Sequence, residues 1–131
     1  MSEDIRLLPL PAILDAYQRE MDVTGGARGL RDEGALKSAI SRAENKLAYA
    51  DPPPEIFDLA ASIGFGIAKN HPFVDGNKRM TFIASYMMLR INGWYLDATE
   101  RDATHTMLAL ADGSLDEAGF LTWLKQWSYR L

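Results

Sequence analysis

Apolar side chains recur along most of this chain at three- and four-residue intervals, and turn-forming residues cut the pattern into helix-sized pieces. Pro11 suits a first helical turn, Ile13, Leu14, Tyr17 and Met21 follow at helical spacing, and Gly25-Gly26 stops the run. Asp32 is placed to N-cap a second helix, in which Leu36, Ala39, Ile40 and Ala43 form an apolar stripe. Pro52-Pro53-Pro54 requires any preceding helix to have ended, because proline removes a donor and clashes with the turn before it. The segment between, Asn45 to Asp51, is the candidate for a short extended or flap-like piece.

A third helix is expected from about Glu55 to Asn70, with Ile56, Leu59, Ala60, Ile63, Ile67 and Ala68 at helical spacing. Its Gly64 and Gly66 are costly in a helix interior unless another backbone approaches closely there. A polar stretch interrupts the pattern, and a fourth helix starts near Asn77. Phe82, Ile83, Tyr86, Met87 and Leu89 make it apolar nearly all round, as in a central helix, and Asn92-Gly93 ends it. Thr99 with Asp102 is placed to cap a fifth helix bearing Met107, Leu108 and Leu110. Ser114 with Glu117 forms a capping-box pattern for a sixth, which carries Leu121, Leu124 and Trp127. The fold class this implies is all-α, a compact single-domain helical bundle over residues 1–131 with the polar loop between two central helices.

Composition narrows the function classes. A net charge of −4 argues against broad affinity for nucleic acid or anionic membranes, although a local basic pocket remains compatible with it. The absence of cysteine removes disulfides, thiolate nucleophiles and thiolate metal sites together. The acidic start, Met1-Ser2-Glu3-Asp4, has no basic segment leading into an apolar one, so no signal peptide is expected. The longest uncharged apolar run, Leu59 to Ala68, is about half of the ~20 residues a membrane span needs. A cytoplasmic protein is the expectation.

The polar loop, residues 71 to 79, reads His-Pro-Phe-Val-Asp-Gly-Asn-Lys-Arg. A helix N-terminus exposes about four unpaired N–H groups and the positive end of the dipole. With Gly76 at its mouth, the fourth helix begins as an anion cradle. Lys78 and Arg79 then occupy its first turn, where cations are disfavoured by a few tenths to about 1 kcal/mol. Two cations in that place call for an anion between them. Asp75 offers the hard oxygen that Mg²⁺ takes alongside phosphate oxygens. His71 sits before the turn, and an imidazole can accept a proton from a hydroxyl nucleophile. Taken singly, His71 reads as a helix cap, Asp75-Gly76 as a turn, and Lys78 and Arg79 as a solvated face. Phe73 reads as a core anchor that holds the loop down.

The string resembles the signature of the Fic/Doc family, His-x-Phe-x-Asp/Glu-x-Asn-Lys/Gly-Arg between two helices of an all-α core. Gly29-Leu30-Arg31-Asp32 and Asn45-Lys46-Leu47-Ala48-Tyr49 are similar to death-on-curing (Doc-type) toxins, so the likeness covers roughly residues 7 to 123. The resemblance implies transfer of a phosphate-containing group from ATP, with Mg²⁺, to a hydroxyl of a target protein. His71 would be the general base, Asp75 the Mg²⁺ ligand, Asn77 a phosphate-binding amide, and Lys78 and Arg79 the phosphate clamp. Gly76 would let the backbone approach the phosphates, and Phe73 would anchor the loop. Lys46 and Tyr49 would be flap contacts to the target.

Two departures bear on the subtype. AMP-transferring Fic enzymes usually have glycine where this chain has Lys78, and often a second arginine where it has Phe82. Lysine in the anion pocket resembles Doc, in which the nucleotide lies the opposite way round and the γ-phosphate is transferred. Pro72 and Gly76 are more Fic-like, which keeps AMP transfer as the alternative. No Ser or Thr has Glu four residues later, so the self-inhibitory helix of many Fic proteins is missing and an inhibitor is expected from outside. The resemblance implies a Phd-type antitoxin, with Leu8, Leu10, Ile13 and Tyr17 as candidate groove residues, and a translation factor such as elongation factor Tu as the target. A non-catalytic nucleotide- or partner-binding module is the alternative outside enzymology.

Overall fold

A computed structural model of the chain describes residues 4–131, so Met1-Ser2-Glu3 of the acidic start lies outside the described residues. Six helices run in order: α1 (Leu10–Thr24), α2 (Glu33–Tyr49), α3 (Ile56–Asn70), α4 (Asn77–Arg90), α5 (Glu100–Asp112) and α6 (Glu117–Trp127). The all-α expectation holds, with one addition. β1 (Trp94–Leu96) and β2 (Ser128–Arg130) pair antiparallel, Tyr95 opposite Tyr129, and tie the end of the chain to the turn after α4.

α3 is the centre. Its buried set runs almost around the helix, from Ile56 and Phe57 through Ile63 and Ile67 to Ala68, and α2, α4 and α6 pack against it. Its two glycines are explained by close approach. A Cβ at Gly66 would lie 3.0 Å from the Ala39 Cα on α2, and one at Gly64 would collide with Ser85 on α4. α4 buries Met80, Ala84, Met88 and Leu89, whereas Phe82, Ile83, Tyr86 and Met87 remain partly exposed. It is central on one face rather than all round.

Two local expectations are corrected. The segment from Asn45 to Tyr49 is the last turn of α2, and only Ala50 and Asp51 leave the helix before the prolines. Lys46 holds this turn by pairing with Glu117 of α6, which also takes Arg42 at 2.6 Å. The sixth helix is capped by Asp116, whose Oδ1 accepts from the Gly119 N–H at 2.8 Å, and not by Ser114. The Ser114 hydroxyl instead donates to the Ala109 carbonyl and finishes α5. Thr99 caps α5 as expected, accepting from the Asp102 N–H.

Burial alone would raise the Glu117 carboxyl, but the hydrogen bonds from Lys46 and Arg42 outweigh it and hold it below the usual carboxylate range. Both cations are more than a third exposed, so solvent screening limits the net effect to about 1 kcal/mol. Glu117→Gln is therefore expected to lower the melting temperature at pH 7 by about 4 °C. A depressed carboxyl stabilises above its unfolded pKa and loses that contribution as the pH falls through its folded one. The gap between variant and wild type in a pH series of melts should therefore close below about pH 4.

Candidate active site

α3 ends at His71, whose backbone takes the left-handed conformation (φ 48°) while its N–H donates to the Ile67 carbonyl. It is the one non-glycine residue with positive φ among the described residues. That conformation costs a non-glycine residue on the order of 1 kcal/mol, so the surroundings must enforce it. Arg31 does so from the α1–α2 connection. Its guanidinium donates to the carbonyls of Asn70 and His71, each at 2.7 Å, satisfying orphan acceptors at the negative end of the helix dipole. The same connection pairs with the loop through its backbone. Arg31 N–H reaches the Pro72 carbonyl, Val74 N–H reaches the Gly29 carbonyl, and Leu30 bridges Phe73. The His71 side chain is left exposed.

The middle of the loop is pinned from below. Phe73 is 1% exposed and stacks on Tyr17 of α1 with ring centroids 4.0 Å apart. The Tyr17 hydroxyl donates to the Asp75 carbonyl at 3.1 Å and accepts from the Gly29 N–H at 3.3 Å. Asn77 closes the turn from the other side. Its Oδ1 accepts from Phe73 N–H and its Nδ2 donates to the Phe73 carbonyl, at 3.0 and 2.9 Å. The amide expected to meet phosphate thus also locks the loop, with one N–H left for a ligand. Gly76 has φ 86°, a conformation that favours glycine, and a Cβ there would lie 2.8 Å from the Met21 methyl, which would have to shift.

α4 begins without a side-chain cap and with no acidic residue in its first turn, leaving its amide donors open. Asp75, Gly76, Asn77, Lys78 and Arg79 all line a cavity of about 650 Å³. The rest of its lining comes mainly from α4 and α5, with Phe82, Met107 and Leu108 apolar and Glu100 and Thr104 polar. This α5 wall went unread in the sequence, where Met107 and Leu108 looked like ordinary core spacing. His71 and Phe73 do not line the cavity: one caps α3 at the surface, the other is in the core. Arg79 reaches both ways. It borders the cavity, and its Nε lies 3.0 Å from Oε1 of Glu20 on α1 in an ion pair.

The model of the Fic/DOC family matches residues 7–89, which include α1 to α3, the whole loop and all but the last residue of α4. The chain belongs to the Fic/DOC family. It is 39% identical over 74 residues to "Toxin Doc" of Mycolicibacterium smegmatis, covering 56% of this chain and 57% of that one. To "Protein kinase doc" of Escherichia phage P1 it is 32% identical over 69 residues, covering 53% and 54%. The chain therefore spans about half the length of the curated relatives it matches.

Several features implied by the Fic/DOC resemblance look different in three dimensions. Leu8, Ile13 and Tyr17 are buried, so three of the four candidate antitoxin-groove residues are core, and only Leu10 is partly exposed. Lys46 is engaged with Glu117, and Tyr49 stands 82% exposed at the end of α2. No Ser/Thr-x-x-x-Glu motif announces it, yet a glutamate of this chain does meet the motif arginine. Among the described residues no three His, Asp or Glu side chains cluster to hold a metal. Asp75 is a single carboxylate whose Oδ1 accepts from Gly76 N–H at 2.8 Å. That donor set fits Mg²⁺ carried in with a nucleotide, which uses one or two carboxylates, phosphate oxygens and water.

Proposed function

We propose that this protein transfers the γ-phosphate of ATP to a hydroxyl group of a target protein. The observation that carries the reading is the placing of Lys78 and Arg79 on an uncapped helix start that opens into a cavity lined by both polar and apolar side chains. Such a cavity suits a ligand with a multiply charged tail and a flat, largely apolar head. Asn77 and the open amides of α4 bind phosphate oxygens, and Lys78 and Arg79 neutralise their charge. Asp75 would hold the Mg²⁺ that comes with the nucleotide and offsets further phosphate charge. His71, exposed at the start of the motif loop, takes the proton as the target oxygen bonds to the γ-phosphorus and the bond to the β–γ bridging oxygen breaks, with ADP leaving. In-line transfer of this kind rests on positioning and charge neutralisation, which a rigidly pinned loop provides.

The names "Toxin Doc" and "Protein kinase doc" support reading the chain as a toxin that acts by phosphorylation, and we extend that reading, on the family resemblance alone, to growth arrest through a translation factor such as elongation factor Tu and to control by an antitoxin of the Phd type. The test uses ATP labelled at the γ- or the α-phosphate, each offered with the protein and a cytosolic lysate. Label on a protein band from the γ position alone is expected. Label from the α position alone would establish AMP transfer instead, and nucleotide binding without transfer would establish a binding module.

A further inference from the structure

Tyr17, Glu20 and Met21 stand at i, i+3 and i+4 on α1, so they share one face of that helix. Each touches a different part of the motif. Tyr17 bonds the Asp75 carbonyl and stacks on Phe73. Met21 packs against Gly76, its methyl 2.8 Å from where a Cβ would stand. Glu20 takes the Nε of Arg79, and it does so while 19% exposed, against 54% for the arginine. The three contacts make α1 a template against which the loop and the first turn of α4 are set.

The Glu20 contact has a directional consequence. A guanidinium carries five N–H donors, one on Nε and four on the two Nη atoms. Oε1 of Glu20 lies 3.0 Å from the Nε, at the base of the group, and Glu20 is absent from the cavity lining whereas Arg79 is part of it. The carboxylate thus fixes the guanidinium from behind and leaves the Nη fork for an anion in the cavity. We infer that Glu20 is a positioning residue that holds Arg79 ready for nucleotide phosphate. The inference rests on the nucleotide reading above, and its cause is geometric: the acceptor oxygen at Nε matters, and the negative charge by itself works against phosphate binding.

Geometry and charge separate in three variants. Glu20→Gln keeps an oxygen acceptor and removes the charge. Glu20→Asp keeps the charge and withdraws the acceptor by one methylene. Glu20→Ala removes both. MgATP affinity is measured by calorimetric titration of each full-length variant, with melting temperatures as the folding control. Wild type and Glu20→Gln are expected to bind within about twofold of each other, and Glu20→Asp about three- to tenfold more weakly. In an Arg79→Ala background the Glu20→Asp change should have less than about twofold effect, since the role acts through the arginine. The Arg79 Nε–H resonance should be slow to exchange in wild type and Glu20→Gln, and fast in Glu20→Ala. Equal or tighter MgATP binding by Glu20→Asp and Glu20→Ala would overturn the inference and show that the glutamate competes with phosphate. A wild-type protein that binds no MgATP would instead overturn the nucleotide reading, and this role with it.

Discussion

His71→Ala is expected to abolish labelled phosphate transfer and growth arrest while the protein stays folded. The side chain is exposed and its backbone is held by others, through the Ile67 carbonyl and the Arg31 guanidinium. Removing the imidazole therefore takes nothing from the core. What it removes is the proposed proton acceptor, and a general base contributes typically 10²–10⁴ in rate. Alanine tolerates the left-handed conformation less well than histidine does, so a melting temperature a few degrees lower is expected for that variant. His71→Asn is the sharper comparison. Asparagine accepts positive φ more readily and cannot act as a base near neutral pH, so it should be as inactive as alanine with a melting temperature nearer wild type. Growth arrest that persists in both variants would sink the assignment of His71.

The loop was legible because its chemistry is contiguous. Nine residues in a row carry a base, a carboxylate, an amide and two cations, and the start of α4 fixes where they meet. Helix ends with strong local chemistry were legible too, as at Asp32 and Thr99, whose side chains do cap. The failures share a cause. A proline run says where a helix must have stopped, not that the residues before it are extended. Lys46 could be placed only by knowing that Glu117 of α6 lies beside it. The apolar stripe of α1 has the same periodicity whether it faces a core or a partner, and here Ile13 and Tyr17 face the core, as does Leu8 just before the helix. Glu20 and the α5 wall of the cavity are far from the motif in sequence and carry no local signal. The three-residue strands β1 and β2 are too short to show a period-two pattern, and they form because packing brings the chain end beside the turn after α4.

Lys78→Ala should separate stability from function by changing them in opposite directions. Lys78 is exposed, in the first turn of a helix with no capping side chain, and it forms no ion pair among the described residues. Its charge faces the positive end of the helix dipole, so removing it should stabilise the ligand-free protein by a few tenths to about 1 kcal/mol, raising the melting temperature by about 2–4 °C. Phosphate transfer should fall by about 10²-fold, because a positioned positive charge at the transferring phosphoryl group is lost. Saturating MgATP supplies the decisive comparison. A ligand stabilises the folded state in proportion to the logarithm of its concentration over Kd, so the wild type gains more than the weaker-binding variant. The order of melting temperatures should reverse on adding nucleotide, with Lys78→Ala the more stable when free and the less stable when loaded. A variant that is less stable in both states would mean that Lys78 makes a structural contact. One that is more stable in both, with transfer intact, would remove Lys78 from the phosphate site and with it the main reason for favouring the γ-phosphate over AMP.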